Sequence, residues 1–405
     1  MQSLQLRYGA LQFFYYIATC AACAFVTVVL QYRGLDNTQV GIVTASACVL
    51  SVLAGPVLSR VAARFSLAQV ARLFDVEFIA LEVLFAAIIV VPLPIPAVMI
   101  AYILLYGAIM ISSPLTSQIA IDYLRAGKPI NFGLARGMGS VSYAICAALA
   151  GQGVNVLGPA VLLPVFVISA AAFLISMHAL PPIAPREAEG TPPTAPSAPA
   201  RGRGVAAFVA RYRLLMLILV GFGFAYSASS CLSTYLINIV TSLGGDVSLY
   251  GIGIFLNAMS ELPFMALVPR LRRRFGTGAL LMVAAVAYLA RNLLISFAPS
   301  LPVVFLGLAF QGLSFGTLTS LLTYYVGETC EEADGMLGQT LIAIMTSGFG
   351  SMAGNYLGGR LQDTLGLDAM FVYAAACTVI GVAFLIAGGV LERRRASVAA
   401  ARRAA

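Results

Sequence analysis

The sequence predicts an all-α integral membrane protein of twelve transmembrane helices in two six-helix bundles. Three observations carry that expectation. Of 405 residues, 60% are hydrophobic and only 10% are charged, against roughly 45–50% apolar in soluble domains. Mean hydropathy is +0.94, and a soluble chain of this size needs far more polar surface than that. Apolar runs of about 20 residues, the length at which a helix crosses the hydrocarbon core, recur along the chain. Finally, those runs fall as six, a polar break, and six more.

In order, the spans lie near 8–30, 38–58, 69–91, 97–117, 133–155 and 160–180, then near 214–236, 248–268, 278–297, 303–326, 336–357 and 369–391. The first is of spanning length, longer than the core of a cleavable signal, and is expected to stay in the membrane. The break reads "PPIAPREAEGTPPTAPSAPARGRG", rich in Pro, Ala, Gly and charge, and cannot bury a core. The expected organisation is an N-terminal bundle over 1–180, a Pro-rich linker over 181–213, a C-terminal bundle over 214–395 and a basic tail over 396–405.

Net charge is +8. In a soluble protein that balance would point to nucleic acid; here its distribution follows the loops, and no nucleic-acid partner is expected. One side carries Arg60, Arg64, Arg125, Lys128, Arg186, Arg201, Arg203, Arg211, Arg213, the run "RLRRR" at 270–274 and "ERRR" at 392–395. The other carries Arg33 and Arg360. The positive-inside rule then expects both termini and the linker in the cytoplasm of a bacterial-type inner membrane. The acidic loop "GETCEEADG" at 327–335 falls on the basic side, and acidic residues weigh little in that rule.

Catalytic and metal chemistry find little support. His178 is the only histidine, so a histidine metal cluster is excluded. Cys20 and Cys23 form a C-x-x-C inside the first apolar run with no second pair, and read as packing residues. No phosphate-cradling G-x-x-x-x-G-K-[ST] occurs. Neither an enzyme nor a cofactor is expected.

A charge at the centre of a spanning helix costs roughly 2.5–3.5 kcal/mol on the insertion scale, so such residues face partners or water. Arg136 lies in the fifth span, Glu261 in the eighth, Arg291 in the ninth, and Glu82 in the third with Asp75 and Glu77. Glu261 and Arg291, opposite in sign on consecutive antiparallel spans, read either as a coupled acid and base along a path or as a static pair joining two helices. Arg72 and Asp75 are expected to form a local i,i+3 pair. Glu82 is a second proton site or a protonated acid packed against a neighbour. Gln118, Asn131, Tyr143, Asn155, Asn257, Asn292, Gln311, Gln339 and Asn355 complete the polar set. Gly133–Gly137 and Gly350–Gly354–Gly358 are expected to permit close helix approach.

The stretch "INFGLARGMGSVSYAICAALAG" (130–151) resembles the fifth helix of the lactose permease group, the oligosaccharide:proton symporter branch of the major facilitator superfamily. "YYIATCAACAFVTVVLQYRGLDNTQVGIV", "LARNLL", "GLAFQGLSFG" and "AGNYLGGRLQDTLG" are similar to other parts of that branch. The resemblance implies that Arg136 binds solute hydroxyls, that Tyr143 stacks on a sugar ring, and that Arg291 sits beside a proton-carrying acid, matched within about a turn by Glu261. Departures are marked: Gln118 stands where the lactose type has an acid, Gln311 at its usual histidine and Ser314 at its proton acceptor. In the loop "GPVLSRVAAR", Ala63 replaces the customary Asp.

The expected function is secondary active transport of a small polar solute, sugar- or nucleoside-like, by alternating access. The partners are that solute, protons and the lipid bilayer, and the chain acts as a monomer. Arg136, Tyr143, Gln118, Asn257 and Gln311 are the candidate solute contacts, and Glu261, Arg291 and Glu82 the candidate coupling residues. The alternatives are an exporter or uniporter of amphipathic compounds and a non-transporting membrane sensor.

Overall fold

A computed structural model describes residues 2–62, 64–182 and 205–404. Most of the expected linker, and Ala63, lie outside these residues. The described chain is helix and turn, with no strand. Nine of its helices are long and apolar enough to cross a membrane, and a tenth span is the bent pair Leu4–Ala24 and Val26–Tyr32, which turns by 45°.

Two more stretches account for the expected twelve. Leu67–Val90 is a full-length helix that carries Arg72, Asp75, Glu77 and Glu82. The eleventh stretch is divided into Glu332–Ala343, the π segment Ile344–Gly350 and Ser351–Leu365, each short when taken alone. Other π segments fall at Cys20–Ala24 and Gly312–Gly316. Such bulges concentrate at functional places in helices, and none is legible from hydropathy. Cys20 and Cys23 are free thiols, buried in the first of them.

Helix starts are built by short-range chemistry. Ser66 and Gln69 form a reciprocal capping box at Leu67–Val90. Asp36 and Gln39 do the same before Asn37–Ala62: Gln39 N donates to Asp36 Oδ1 at 2.7 Å and Asp36 N donates to Gln39 Oε1 at 3.2 Å. Asp246 accepts from Leu249 N at 2.9 Å at the equivalent start of Val247–Phe275. The sequences "DNTQVGI" and "DVSLYGI" are thus one internal repeat, an Asp cap five residues before a glycine.

The chain packs as two compact units. One joins the first six spans to Ser233–Met259 and Asn355–Met370; the other holds Ser260–Gly354 with the described parts of 186–232 and 371–405. In the first unit, aromatic packing of Tyr15, Phe74, Phe78 and Phe173 fills the centre. In the second, Phe222, Tyr288, Leu281 and Leu322 belong to one buried cluster.

Glycines set the closest helix contacts. A Cβ at Gly151 would lie 2.8 Å from Val247 O, and one at Gly41 would lie 2.5 Å from Asn355 O. In the second unit, Gly350 meets Tyr226 and Gly354 meets Ser227 O, as the small-residue spacing predicts. Gly133–Gly137 departs from that expectation. Gly137 faces open space and Gly133 meets only the capping Asn131, because the interhelix contacts of that helix lie further along, at Gly139 and Gly151.

A polar seam closes the end of the first unit opposite the basic loops. Gln31 Nε2 donates to Asn37 and Asn238, each at 2.9 Å. Asn238 Nδ2 donates to Asn37 Oδ1 and Gln362 Oε1, each at 2.8 Å. Asp363 accepts from the Thr38 amide at 2.5 Å and hydroxyl at 2.6 Å, and from the Asn37 side chain at 2.8 Å and amide at 3.3 Å. A carboxylate of the eleventh span therefore caps the second span alongside the local Asp36–Gln39 box. Across the same end, Asn155 Nδ2 donates to Asp246 at 3.0 Å.

Candidate functional site

In the first unit, the sequence-singled residues gather around the helix Phe132–Leu157. Asn131 caps it, accepting from Leu134 N at 2.9 Å. Arg136 leaves its first turns and lays its guanidinium over the Tyr16 ring, 4.4 Å from the centroid. Its Nη1 donates to Ser140 Oγ at 2.8 Å. The ring fits there because of Gly139, where a Cβ would lie 2.4 Å from Tyr16 Cδ2. Tyr143 stands two turns beyond Arg136 on the same face, within electrostatic reach of Tyr106 and Tyr250. An arginine with a flat aromatic under it and a hydroxyl beside it offers forked donors and a stacking surface, the chemistry that reads polyols and nucleosides.

Other expected members are placed elsewhere. Gln118 donates to Asp122 Oδ1 at 2.9 Å, one turn along its own helix, and carries no charge to offer Arg136. Glu82 sits half-buried between Ile79 and Val83, which are 56% and 66% exposed on the outer face of the third span. It makes no hydrogen bond or ion pair among the described residues. Asp75 does not pair with Arg72. His178 Nε2 lies 2.9 Å from its carboxylate, because the third and sixth spans bring those two side chains together while Arg72 turns outward.

In the second unit, Arg291 is 0% exposed. Its Nη1 donates to Ser229 Oγ at 3.0 Å and to Asn292 Oδ1 at 2.8 Å. Asn292 in turn donates to Thr378 Oγ1 at 2.9 Å, so three spans share one polar knot. Glu261, half-buried on Val247–Phe275, accepts from Gln311 Nε2 at 2.9 Å. Its charge and the Tyr226 and Tyr288 hydroxyls lie within electrostatic reach of Arg291. Ser260 sits beside Glu261 and accepts from Gly312 N at 3.1 Å, which locks the eighth span to the π segment of the tenth. Ser314, in that segment, is buried and donates to Phe310 O on its own helix at 2.8 Å. Asn257 lies half-buried one turn before Glu261.

Sequence reasoning named the arginines and Glu261 but passed over Tyr16, Ser140, Ser229 and Thr378. Ser140 at i+4 from Arg136 was legible from helical spacing. The others come from distant spans and leave no local signature.

Described residues that are almost wholly helical, with nine or ten helices long and apolar enough to cross a bilayer and a guanidinium sealed inside one of them, define a multi-pass integral membrane protein. The chain matches the MFS_1 like family over residues 5–373 and belongs to it. Among curated proteins it is 26% identical over 273 residues to a maltose permease of Geobacillus stearothermophilus, covering 67% of this chain and 66% of that one. It is 23% identical over 268 residues to the uncharacterized transporter YwbF of Bacillus subtilis, covering 66% of this chain and 64% of that one. The chain thus spans just under two thirds of the length of each. Among solved structures, it shares the fold of the nucleoside transporter NupG, with a TM-score of 0.75 at 17% identity over 95% of this chain and 98% of that one. A bacterial homolog of the human lysosomal transporter Spinster matches with a TM-score of 0.68 at 14% identity, over 96% and 97%.

Proposed function

We propose that the chain is a secondary active transporter that moves a small polar solute, sugar- or nucleoside-like, by alternating access, coupled to protons through Glu261 and Arg291. The observation that carries this reading is the sealed Arg291 knot with an acid beside it. A guanidinium sealed inside a membrane span is costly, and a nearby carboxyl that gains or loses a proton changes that cost between conformations. Arg136, Tyr16 and Tyr143 supply solute contacts. The maltose and nucleoside relatives support a solute rich in hydroxyls. We place both termini on the cytoplasmic side of the inner membrane by the loop charges, read 1–180 and 214–395 as the two bundles, and take the chain as a monomer.

Glu82, on the outer face, is a weaker carrier than Glu261. Gln118 and Gln311, neutral where the symporter branch is charged, favour a uniporter as the second reading. Proteoliposomes with an imposed proton gradient separate the two, with maltose and uridine as probes. Coupled accumulation of either is expected in the wild type and lost in Arg291→Ala and Glu261→Gln at unchanged protein level. Equilibration without accumulation supports the uniporter, and wild-type accumulation by either variant removes those residues from coupling.

A further inference from the structure

One face of the ninth span, Thr277–Ser296, lines an open groove of about 470 Å³ with Ala279, Met282, Val283, Val286, Ala287 and Ala290. Steps of three and four residues align these side chains in one stripe. The three alanines hollow it, while Val283 and Val286 are open to the surroundings. Phe310 and Leu313 form the far wall, where the tenth span runs into its π segment. At helical rise, Ala279 to Ala290 covers about 16 Å, half of a hydrocarbon core of roughly 30 Å and so the depth of one leaflet.

The groove ends on a cation. Arg393, from the last helix, lines its mouth. Gly278 and Gly389 bring it there: a Cβ at Gly278 would lie 2.5 Å from Gly389 O and 2.7 Å from Arg393 Cγ. Arg393 is exposed and makes no hydrogen bond or ion pair among the described residues. Acids at this end are engaged elsewhere. Glu392 accepts from the Tyr325 hydroxyl at 2.9 Å, and Glu328 is paired with Arg272. Arg273, Arg274, Arg394 and Arg395 add positive charge on either side, as does the start of the helix Thr277–Ser296.

We propose that this groove binds one anionic phospholipid of the leaflet on the basic side, with an acyl chain along the alanine-hollowed stripe and the phosphate on Arg393. Charge complementarity selects the occupant. The mouth offers a cation and no uncommitted carboxylate, so a zwitterionic headgroup leaves its ammonium without a partner. A free anion would leave the apolar stripe uncovered, and a polar solute would find no donors or acceptors along it. The inference rests on membrane embedding and stands apart from the transport reading.

The test uses the full chain purified in a neutral detergent, with phosphatidylglycerol as the probe and phosphatidylcholine and inorganic phosphate as comparators. Binding is read by native mass spectrometry and by the melting temperature. Phosphatidylglycerol is expected to bind saturably at one site and to raise the melting temperature more than either comparator. Arg393→Gln is expected to raise the half-saturating lipid concentration about five-fold, the worth of one basic residue at an anionic surface. Ala290→Leu, which fills the groove from a half-exposed position, is expected to do the same. If that variant melts lower without lipid, Ala279→Leu fills the mouth instead and is held to the same outcome. Equal binding of phosphatidylcholine, equal stabilisation by inorganic phosphate, or wild-type lipid binding by Arg393→Gln or by a well-folded filling variant overturns the proposal.

Discussion

Arg136 and Arg291 are both arginines in apolar spans, yet their surroundings ask different things of them. Arg291 is sealed, and two neutral oxygens fix its Nη1. Arg136 is open along one side, resting on Tyr16 with one hydrogen bond to Ser140. That contrast favours Arg136 as the solute contact under the proposed transport reading. Arg136→Lys replaces a planar fork with a point charge that stacks less well on the ring. We expect solute affinity to fall by about 1–2 kcal/mol, near the value of a partly desolvated cation–π contact, with maximal uptake rate little changed. The same loss is expected in Gly139→Ala, since the new methyl would meet Tyr16 Cδ2 at 2.4 Å and displace the ring beneath the guanidinium. Uptake measured across solute concentrations in proteoliposomes checks both. Unchanged half-saturation in both variants removes this cluster from the solute site. The arginines were legible because a charge in an apolar run is conspicuous. Tyr16 was not, since an aromatic in a membrane helix is ordinary until a glycine from another span is found facing it.

Between elements, the seam around Asp363 joins the first, second, seventh and eleventh spans. Burial alone would raise the Asp363 carboxyl, but donors from Thr38 and Asn37 outweigh it and hold the group below its ordinary value. The sign of its pH dependence follows. A carboxyl whose folded pKa is depressed contributes stability that is present above its unfolded value, near 3.9 for a free Asp, and is lost as pH falls through the depressed folded value. Melting temperature in detergent should therefore decline on acidification below the ordinary carboxylate range. Asp363→Asn, which keeps the shape and loses the charge, is expected to melt lower at neutral pH and to flatten that decline; the Ala variant should lose more, about 1–3 kcal/mol, because four donors would then lack their acceptor. A wild-type pH profile in Asp363→Asn would show that the seam does not depend on the charge. Gly359→Ala probes the same contact by packing, since its Cβ would fall 2.1 Å from Asn37 O. Sequence did carry part of this: "DNTQVGI" and "DVSLYGI" mark two helix starts with the same Asp cap. What it hid is the second acid, since nothing near Asp363 in "NYLGGRLQDTLG" says that its partners lie some 325 residues away.

For the molecule as a whole, hydropathy located the membrane spans well because length and apolarity are properties of contiguous sequence. It placed even the third span despite four charges, one of them facing His178. It did not show backbone geometry, such as the π segment that divides the eleventh. Pairing between spans stayed illegible because the amides that make it are few and their partners are distant. Orientation rests on loop charge alone, and the cysteines allow it to be tested cleanly. Six of the seven are buried and only Cys330 is partly open, so Cys330→Ala should leave little reactivity toward a membrane-impermeant maleimide. On that background, Gly245→Cys, in the loop after the seventh span, is expected to label in intact cells. Arg274→Cys, at the basic end of the eighth, should label only after the membrane is opened. Gly245 and Arg274 close opposite ends of a single helix about 40 Å long at 1.5 Å per residue, and one helix cannot present both ends on one side. Labelling of Arg274→Cys alone in intact cells would invert the orientation and, with it, the leaflet in which Arg393 lies.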